Sequence, residues 1–297
     1  MNIKDYPEFK PVGLEDLEAF NQALKQFPPV ISELTFTNIY SWRKAYQFEV
    51  ASLGGFLILR SGPENKKSFF RPIGSGDMKA VMEKILEDTG AGFVRIPEIT
   101  KKMFENEKKY IIEADPDNFD YLYRTEDLIE LPGRKYDGKR NLIKNFKSAY
   151  EFHYTEFDDS NIKDCLEFEE FWCTLKNCDS VTGLGNERQA IKEMVDNFSI
   201  FKLIAGAIKV KERICAVAIG QRLNQYTLVM HVLKADPNMA GLYQAMNNEF
   251  LSRQARGFTY VNMEQDLGLA GLRKAKQSYH PVEMIKKYTL KTGGSPA

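Results

Sequence analysis

The sequence carries no net charge and contains little histidine or cysteine, the side chains that most often bind transition metals. Its 297 residues include 41 lysines and arginines against 41 aspartates and glutamates, so no overall field attracts nucleic acid or an anionic membrane surface. Histidine occurs three times, and no histidine has metal-ligand spacing with a cysteine. The composition therefore predicts no metal site and no polyanion-binding role for the chain as a whole.

Cysteine is also scarce, and the four residues form no CxxC pair. Cys165, Cys173, Cys178 and Cys215 are interpreted as reduced, mostly structural thiols, and their surroundings do not indicate a thiol nucleophile. No apolar run approaches the ~20 residues that span a bilayer, and the N-terminus has no apolar signal region. These patterns predict a cytoplasmic protein without a transmembrane segment.

Charge is nevertheless unevenly distributed along the neutral chain. Residues 134–147 contain six basic residues and one acid, and residues 273–291 again contain six and one. Residues 156–170 contain seven acids and one base. Two local patches of +5 can hold an anionic ligand, or they can be the solvated faces of ordinary helices.

The order of predicted elements repeats, which indicates a duplication. Amphipathic helices, a hairpin, further strands and helices follow one another in the first half, which ends in a long strand region over 110–131. The second half has the same order and ends in a strand over 282–290. We therefore predict an α/β protein with domains at 1–133 and 151–297, joined by a basic helix over 134–150.

Several stretches carry a resemblance to a known family. FTNIYSWRKAY (36–46), DLIELPGRKYDGKRN (127–141), GLYQAMNNEF (241–250) and EQDLGLAGLRKAKQSY (264–279) resemble the phosphatidylglycerol lysyltransferase C-terminal domain family, which is related to Fem-type aminoacyltransferases. The resemblance implies two tandem acyl-CoA N-acyltransferase (GNAT-like) domains with mixed central sheets.

The resemblance also implies an activity and its partners. Relatives of this kind use aminoacyl-tRNA as donor and a lipid head group or another hydroxyl or amine as acceptor, without a resident cofactor. An acyl-CoA-dependent N-acyltransferase and a non-catalytic binding protein of the same fold are the alternatives. The sequence does not determine the amino acid, the acceptor or the oligomeric state.

Candidate catalytic residues lie where the substrate cleft of this fold would open. Acyl transfer needs a group that accepts the acceptor's proton. The predicted catalytic residues are Asp236, Glu264, Asp266, Lys287 and Tyr288. Asp236 can instead be a loop acid that fixes the turn before Pro237, and His231, within an apolar run, is interpreted as a satisfied core residue.

Cations near a predicted helix start could hold the phosphates of a donor, because free N–H groups and the helix dipole favour anions there. The predicted donor-binding residues are Lys234, Gly241, Arg273, Lys276, Lys139 and Arg140. A solvated helix and a charged connector are the alternatives.

One further segment has the spacing of a phosphate loop. Arg71, Gly74 and Gly76 match the Arg-x-x-Gly-x-Gly pattern of acyl-CoA enzymes between a strand and a helix. Asp77 follows directly, and an acid at that place is also a good helix N-cap. A phosphate loop and an ordinary helix start both fit this pattern.

Overall fold

The fold is described by a computed structural model for residues 3–178 and 182–293, without the side chain of residue 182. The described residues divide into two compact units. Unit 1 comprises residues up to Asp120 together with Gln265–Ala270 and the segment from Met284 onward, and unit 2 comprises Tyr121–Glu264 and Gly271–Glu283.

The helices begin and end where caps and turns allow. Asp77 caps α4 by accepting a hydrogen bond from the backbone N–H of Ala80, and a left-handed Gly90 ends it. In chain order, the helices are α1 (Leu17–Gln26), α2 (Phe36–Ser41), α3 (Arg43–Tyr46), α4 (Met78–Thr89), α5 (Glu98–Lys101), α6 (Thr125–Glu130), α7 (Asp137–Ala149), α8 (Asp164–Lys176), α9 (Thr182–Asp196), α10 (Leu242–Gln254) and α11 (Ala270–Gln277).

The strands form two separate sheets. In chain order they are β1 (Lys10–Pro11), β2 (Glu49–Leu53), β3 (Phe56–Ser61), β4 (Ser68–Phe69), β5 (Ile73–Gly74), β6 (Phe93–Pro97), β7 (Tyr110–Ala114), β8 (Asp120–Arg124), β9 (Phe152–Glu156), β10 (Ile204–Val210), β11 (Arg213–Arg222), β12 (Thr227–Ala235), β13 (Tyr260–Asn262), β14 (Glu283–Ile285) and β15 (Lys287–Thr292).

The sheet of unit 1 has the order β1-β2-β3-β4-β6-β15-β7, with β5 paired to β3. Most neighbours are antiparallel, whereas β4 and β6 are parallel, so the sheet is mixed. Helix α4 packs an apolar face that includes Met82, Ile85 and Leu86 into the core beside this sheet. Burial of these side chains supplies the main driving force for this unit.

The sheet of unit 2 has the order β14-β8-β13-β12-β11-β10-β9. Strands β10, β11 and β12 are antiparallel neighbours, and their central residues are buried on both faces, as their continuous apolar runs predict. Strand β13 pairs parallel to β12. Both sheets are therefore mixed, and the α/β fold with two sheets agrees with the prediction.

The closing strands differ from the prediction. The predicted long strand over 110–131 consists of β7, β8 and then helix α6, and β8 pairs with β13 in the sheet of unit 2. The strand at the end of the chain, β15, pairs with β6 and β7 in the sheet of unit 1. Alternating apolar residues identify a strand but not the sheet that it joins.

The compact units consequently do not follow the contiguous division into 1–133 and 151–297. The predicted connector is helical, since α7 and a short turn before it cover 134–149. Residues 1–2, 179–181 and 294–297 of the predicted domains lie outside the described residues. Within the described residues, no helix is long and apolar enough to cross a membrane.

Candidate active site

Strands β12 and β13 are paired over a short length and then separate. Thr227–Val229 pairs in parallel with Tyr260–Asn262, and His231 and Glu264 each lie two residues beyond the last pair. The Nδ1 atom of His231 is 2.9 Å from Oε1 of Glu264, and its Nε2 atom is 3.3 Å from Oε1 of Gln221. Both ring nitrogens are engaged, so the interpretation of His231 as a satisfied core residue is confirmed.

Glu264 is held in a fixed backbone conformation at this separation. Its φ angle is 55°, a left-handed value that is uncommon outside glycine and often marks a functional site. The N–H group of Glu264 donates to Oδ1 of Asn262 over 2.7 Å, and its carbonyl accepts from the N–H of Tyr121 over 3.2 Å. Its side chain is 21% exposed, so a positioned carboxylate stays within reach of a substrate.

Lys234, near the end of β12, is buried among acidic and aromatic side chains. Its Nζ atom lies 2.7 Å from Oε1 of Glu169 and 2.8 Å from Oε2 of Glu187, and 4.0 Å from the centre of the Trp172 ring. Trp172 is fixed in turn by its Nε1–H, which donates to the carbonyl of Ala235 over 3.2 Å. A buried ammonium needs such partners, so Lys234 already has its charge compensated by this chain.

Glu169 is the more deeply buried of the two carboxylates. Its Oε2 atom has no hydrogen-bond partner among the described residues. Burial raises the pKa of Glu169, and the nearby charge of Lys234 acts in the opposite direction. Glu187 is partly exposed. Burial, and to a lesser extent the charge of Glu187, raises the pKa of Tyr243 on α10 to about 12. The charges around Lys234 on β12 therefore act on a side chain in the first turn of α10.

The cysteines of unit 2 correct one prediction. Cys173 and Cys178 form a disulfide, so the interpretation of all four cysteines as reduced thiols is wrong for this pair. The end of α8 brings the two side chains together, which their spacing alone does not reveal. Cys165 and Cys215 are free and buried. Burial raises the pKa of Cys165 to about 12, which suits a structural thiol rather than a nucleophile.

Asp236 lies in the loop between β12 and α10. One Nη atom of Arg213 is 3.1 Å from its Oδ2 atom, and its Oδ1 atom accepts a hydrogen bond from the N–H of Asn238 over 3.0 Å. These contacts match the alternative in which the carboxylate fixes the loop. A catalytic role for Asp236 stays a prediction.

Lys287, on β15 of unit 1, is fully buried in a second ionic cluster. Its Nζ atom is 2.6 Å from both Oε2 of Glu33 and Oδ1 of Asp120. Asp120 also accepts hydrogen bonds from the N–H and the hydroxyl of Ser32, and Arg95 pairs with Glu33 over 3.4 Å. Lys287 is thus engaged on two sides by this chain.

The other two predicted catalytic residues are also bonded within unit 1. Tyr288 is buried, and its hydroxyl donates a hydrogen bond to Glu98. Asp266 is buried, and its Oδ1 atom accepts from the N–H of Gly268 over 2.9 Å. Among the five predicted catalytic residues, Glu264 has the most exposed side chain.

The predicted donor-binding cations make internal contacts. Lys276 donates to the carbonyl of Met263 over 2.5 Å, and Lys139 donates to the hydroxyl of Ser278 over 2.6 Å. Burial lowers the pKa of Lys139. Arg140 donates to the carbonyl of Gly133 over 2.9 Å, as well as to Leu131 and Asp137. Arg273 lies half-buried on α11. Phosphate binding by these residues stays a prediction.

A shallow groove borders the basic helix α7. Its volume is about 400 Å³, and it is lined by Ile129, Glu130, Leu131, Arg140, Ile143, Lys144, Lys147, Ser148 and Asn248. Lys147 pairs with Glu249 over 2.7 Å. The groove combines cations with an apolar floor, which is compatible with contact to a nucleic-acid backbone.

The two predicted glycine sites are occupied by the protein itself. A Cβ atom on Gly74 would lie 2.3 Å from the carbonyl oxygen of Gly55, because β5 pairs with β3. A Cβ atom on Gly241, whose φ angle is 83°, would lie 2.2 Å from the carbonyl oxygen of Leu142. Both glycines are therefore needed for backbone packing.

The remainder of the Arg71 segment matches the helix-start alternative. Asp77 caps α4, which places an acid where a phosphate would bring negative charge. Gly76 faces the ring of Phe56. The Nε atom of Arg71 has no hydrogen-bond partner among the described residues, and burial lowers the pKa of this guanidinium.

Sequence reasoning missed the partners of Lys234. Glu169 and Glu187 lie on α8 and α9, far from Lys234 in the chain. One signal was present: Lys234 ends the apolar run TLVMHVLK, and a lysine buried in a sheet requires a carboxylate.

The chain is similar to a known family and to proteins of known structure. A family model described as phosphatidylglycerol lysyltransferase, C-terminal, matches residues 24–291. A conserved protein of unknown function from Bacteroides thetaiotaomicron is 33% identical, with a TM-score of 0.89, over 96% of this chain and 99% of that one. The C-terminal domain of a putative lysylphosphatidylglycerol synthetase from Agrobacterium fabrum is 12% identical, with a TM-score of 0.68, over 94% and 92%.

A curated relative has a shorter match. An uncharacterized protein of Mycoplasmoides gallisepticum is 26% identical over 190 residues, which are 61% of this chain. The match spans 58% of that relative's length. The similarity therefore covers part of both proteins.

Proposed function

The chain belongs to the phosphatidylglycerol lysyltransferase C-terminal family, and we propose that it moves an aminoacyl group from aminoacyl-tRNA to a hydroxyl or amine acceptor. The observation that carries the proposal is the positioned, partly open carboxylate of Glu264 at the separation of β12 and β13. Support also comes from the fold, which is similar to that of the putative lysylphosphatidylglycerol synthetase domain.

The chemistry requires one proton acceptor and two aligned substrates. The acceptor oxygen or nitrogen attacks the ester carbonyl of the donor, a new acyl bond forms, and the bond to the ribose oxygen breaks. The acceptor's proton passes to the Glu264 carboxylate, which then gives it to the departing ribose oxygen. Holding both substrates in line supplies a large part of the rate enhancement.

His231 supports this role of Glu264 without touching the reacting atoms. It is buried between Glu264 and Gln221, and the Gln221 amide is oriented by its bond to the carbonyl of Phe201 over 2.9 Å. The contact with His231 therefore restricts the conformations of the Glu264 side chain, which lowers the entropy lost when the side chain is ordered around a substrate. His231 is a positioning residue in this proposal.

An acyl-CoA donor is the first alternative. It would need a phosphate cradle, and Gly74 and Gly241 are instead packed against backbone carbonyls of the same chain. A non-catalytic binding protein is the second alternative. It would tolerate the loss of the Glu264 carboxylate.

Turnover of a charged donor tests the proposal. The purified protein is incubated with bulk tRNA charged with radiolabelled amino acids and a panel of polyols, amines and lipid extracts, and label released from tRNA and gained by the acceptor is measured. Glu264→Gln keeps the size of the side chain and removes the proton acceptor, so kcat should fall about 100-fold or more. Glu151→Gln, an exposed change in the same unit, is the matched control.

The same assay with acetyl-CoA separates the alternatives. Consumption of acetyl-CoA but not of aminoacyl-tRNA would establish the acyl-CoA alternative. Consumption of neither donor would favour the binding protein. Full activity of Glu264→Gln would remove this carboxylate from the chemistry.

A further inference from the structure

The sheet of unit 1 ends in a strand whose outer edge has no strand partner among the described residues. This strand, β7, is the last in the order β1-β2-β3-β4-β6-β15-β7. Ile111, Glu113 and Ala114 on β7 are exposed, and Ile111 retains 40% of its accessible surface. The open edge of a sheet is a template on which another strand can pair.

The hydrogen bonds between β7 and β15 determine which backbone groups of β7 face outwards. The N–H of Gly293 donates to the carbonyl of Lys109 over 2.7 Å, and the N–H of Asp115 donates to the carbonyl of Lys287 over 2.9 Å. In a regular antiparallel pair, every second residue directs its N–H and C=O to the same neighbour, and the register of β7 on β15 has no shift. The residues whose backbone groups face the open edge are therefore Tyr110, Ile112 and Ala114.

The other edge strands of the two sheets are less suited to pairing with a copy of themselves. Strand β1 is Lys10 and Pro11 alone, and proline cannot donate to an added strand. Strand β14 has 3 residues. Strand β9 has acids beside or at both ends, Glu151 and Glu156, which an antiparallel copy would bring close together. Strand β7 has 5 residues and no proline.

The charges around β7 complement an antiparallel copy of the same strand. Lys108 and Lys109 precede the strand, whereas Glu113 and Asp115 lie at its end. When two copies pair around Ile112, the outward N–H and C=O groups of this residue bond to those of its equivalent, and Lys109 lies opposite Asp115 of the second copy. Opposite charges that face each other across two strands stabilise their pairing.

Apolar side chains on the inner face of β7 would be covered by the same pairing. Tyr110 and Ile112 are partly buried and pack against the apolar core of unit 1. In the antiparallel pair, Ile112 lies beside its equivalent and Tyr110 lies beside Ala114, so the apolar surface continues across both copies. The N–H of Tyr110 is already bonded to the carbonyl of Glu107 over 3.1 Å. The pairing therefore forms about four new backbone hydrogen bonds.

We propose that the outer edge of β7 is a self-association surface, on which a second copy of the chain adds its own β7 antiparallel around Ile112. The inference does not rest on the proposed transfer activity. A single pair of short strands buries a small interface, so we expect a dissociation constant of about 10–100 μM. In analytical ultracentrifugation the protein should be mainly monomeric at about 1 μM and mainly dimeric at about 300 μM.

Ala114→Pro tests the edge with little effect on the fold. The change removes an N–H that faces outwards and keeps every hydrogen bond to β15, as proline on an edge strand does. The dissociation constant of the dimer should rise at least about 10-fold. Ala114→Ser keeps the N–H and is the matched control, and circular dichroism checks that both variants are folded.

Cross-linking tests the register without proline. In the proposed pair, position 111 lies opposite position 113 of the second copy at a Cα distance of about 4.5 Å, which a disulfide can span. With oxidised glutathione, an equal mixture of Ile111→Cys and Glu113→Cys proteins should form several-fold more linked dimer than either protein alone. A parent that stays monomeric at about 300 μM, a dimer that Ala114→Pro leaves unchanged, or equal cross-linking in the mixture and the single variants would overturn the proposal.

Discussion

Each compact unit buries a lysine between two carboxylates, and the two clusters differ in how far water reaches them. In unit 1, Lys287 and Asp120 are both fully buried, Ser32 donates to both oxygens of Asp120, and Glu33 is 14% exposed. In unit 2, Lys234 and Glu169 are buried, whereas Glu187 is 33% exposed. Each cluster keeps one carboxylate oxygen without a hydrogen-bond partner among the described residues, Oε1 of Glu33 and Oε2 of Glu169.

The difference indicates separate roles for similar sets of residues. An ionic cluster that is closed to water cannot change partners without a large penalty. We therefore infer a structural role for the Lys287 cluster, and the catalytic role of Lys287 stays a prediction. The Lys234 cluster can release Glu187 to water at lower cost, and Glu187 influences Tyr243 on α10. Exposure of the carboxylates, rather than the presence of a lysine, separates a structural site from a candidate functional one.

Replacing the buried lysine of each cluster should give the largest difference in stability between the two units. Lys287→Met leaves Glu33 and Asp120 buried without their cation and should lower the free energy of unfolding by about 3–5 kcal/mol. Lys234→Met should cost less, about 1–3 kcal/mol, because Glu187 can be hydrated. Urea unfolding followed by circular dichroism measures both variants.

Lys291→Met is the matched control for these variants. Lys291 lies on the same strand as Lys287 and is half exposed, so its loss should change stability by less than about 0.5 kcal/mol. Equal costs for Lys287→Met and Lys234→Met would contradict the distinction between the clusters. A loss of turnover in Lys287→Met at unchanged stability would support the predicted catalytic role of Lys287.

Removing the disulfide should lower the free energy of unfolding by less, and the effect should be confined to unit 2. All four cysteines lie in unit 2, and Cys173–Cys178 closes a loop with a sequence separation of 5. Replacing both cysteines with serine should lower stability by about 2 kcal/mol, since the unfolded chain regains the entropy of that loop.

Reductant provides the control for the disulfide. Dithiothreitol should lower the melting temperature of the parent and leave that of the double variant unchanged. Hydrogen exchange locates the effect. If the reductant changes amide protection in the sheet of unit 1 and not in unit 2, the prediction that the disulfide stabilises unit 2 is wrong.

The pH dependence gives the smallest expected effect. Burial raises the pKa of Glu169 above its ordinary value of 4.5, so the folded state holds this proton more tightly than the unfolded state. The resulting stability is present below pH 4.5 and is lost as the pH rises through the folded pKa. Glu169→Gln removes this titration.

The parent and Glu169→Gln are compared by thermal melting across this range. The variant should gain stability relative to the parent as the pH rises from 4.5, by less than about 1.4 kcal/mol per pH unit. A difference between the two proteins that is constant with pH would show that Glu169 does not titrate on unfolding.

The sequence predicted most elements because their local signals were strong. The apolar runs of β10–β12 and the polar turns between them determine three adjacent antiparallel strands. Asp77 and Gly90 mark the two ends of α4. The site was less predictable: Glu264 was named because it follows a strand, whereas Glu169 and Glu187 have no motif around them.

The sequence alone determined the α/β fold, the repeated order of elements, the position of Glu264 after β13 and the core location of His231. These follow from periodicity and chain neighbours, which are local properties. The tertiary structure decided which sheet β8 and β15 join, which carboxylates meet Lys234 and Lys287, and that Cys173 meets Cys178. Those outcomes depend on contacts between residues distant in the chain, and no local pattern encodes them.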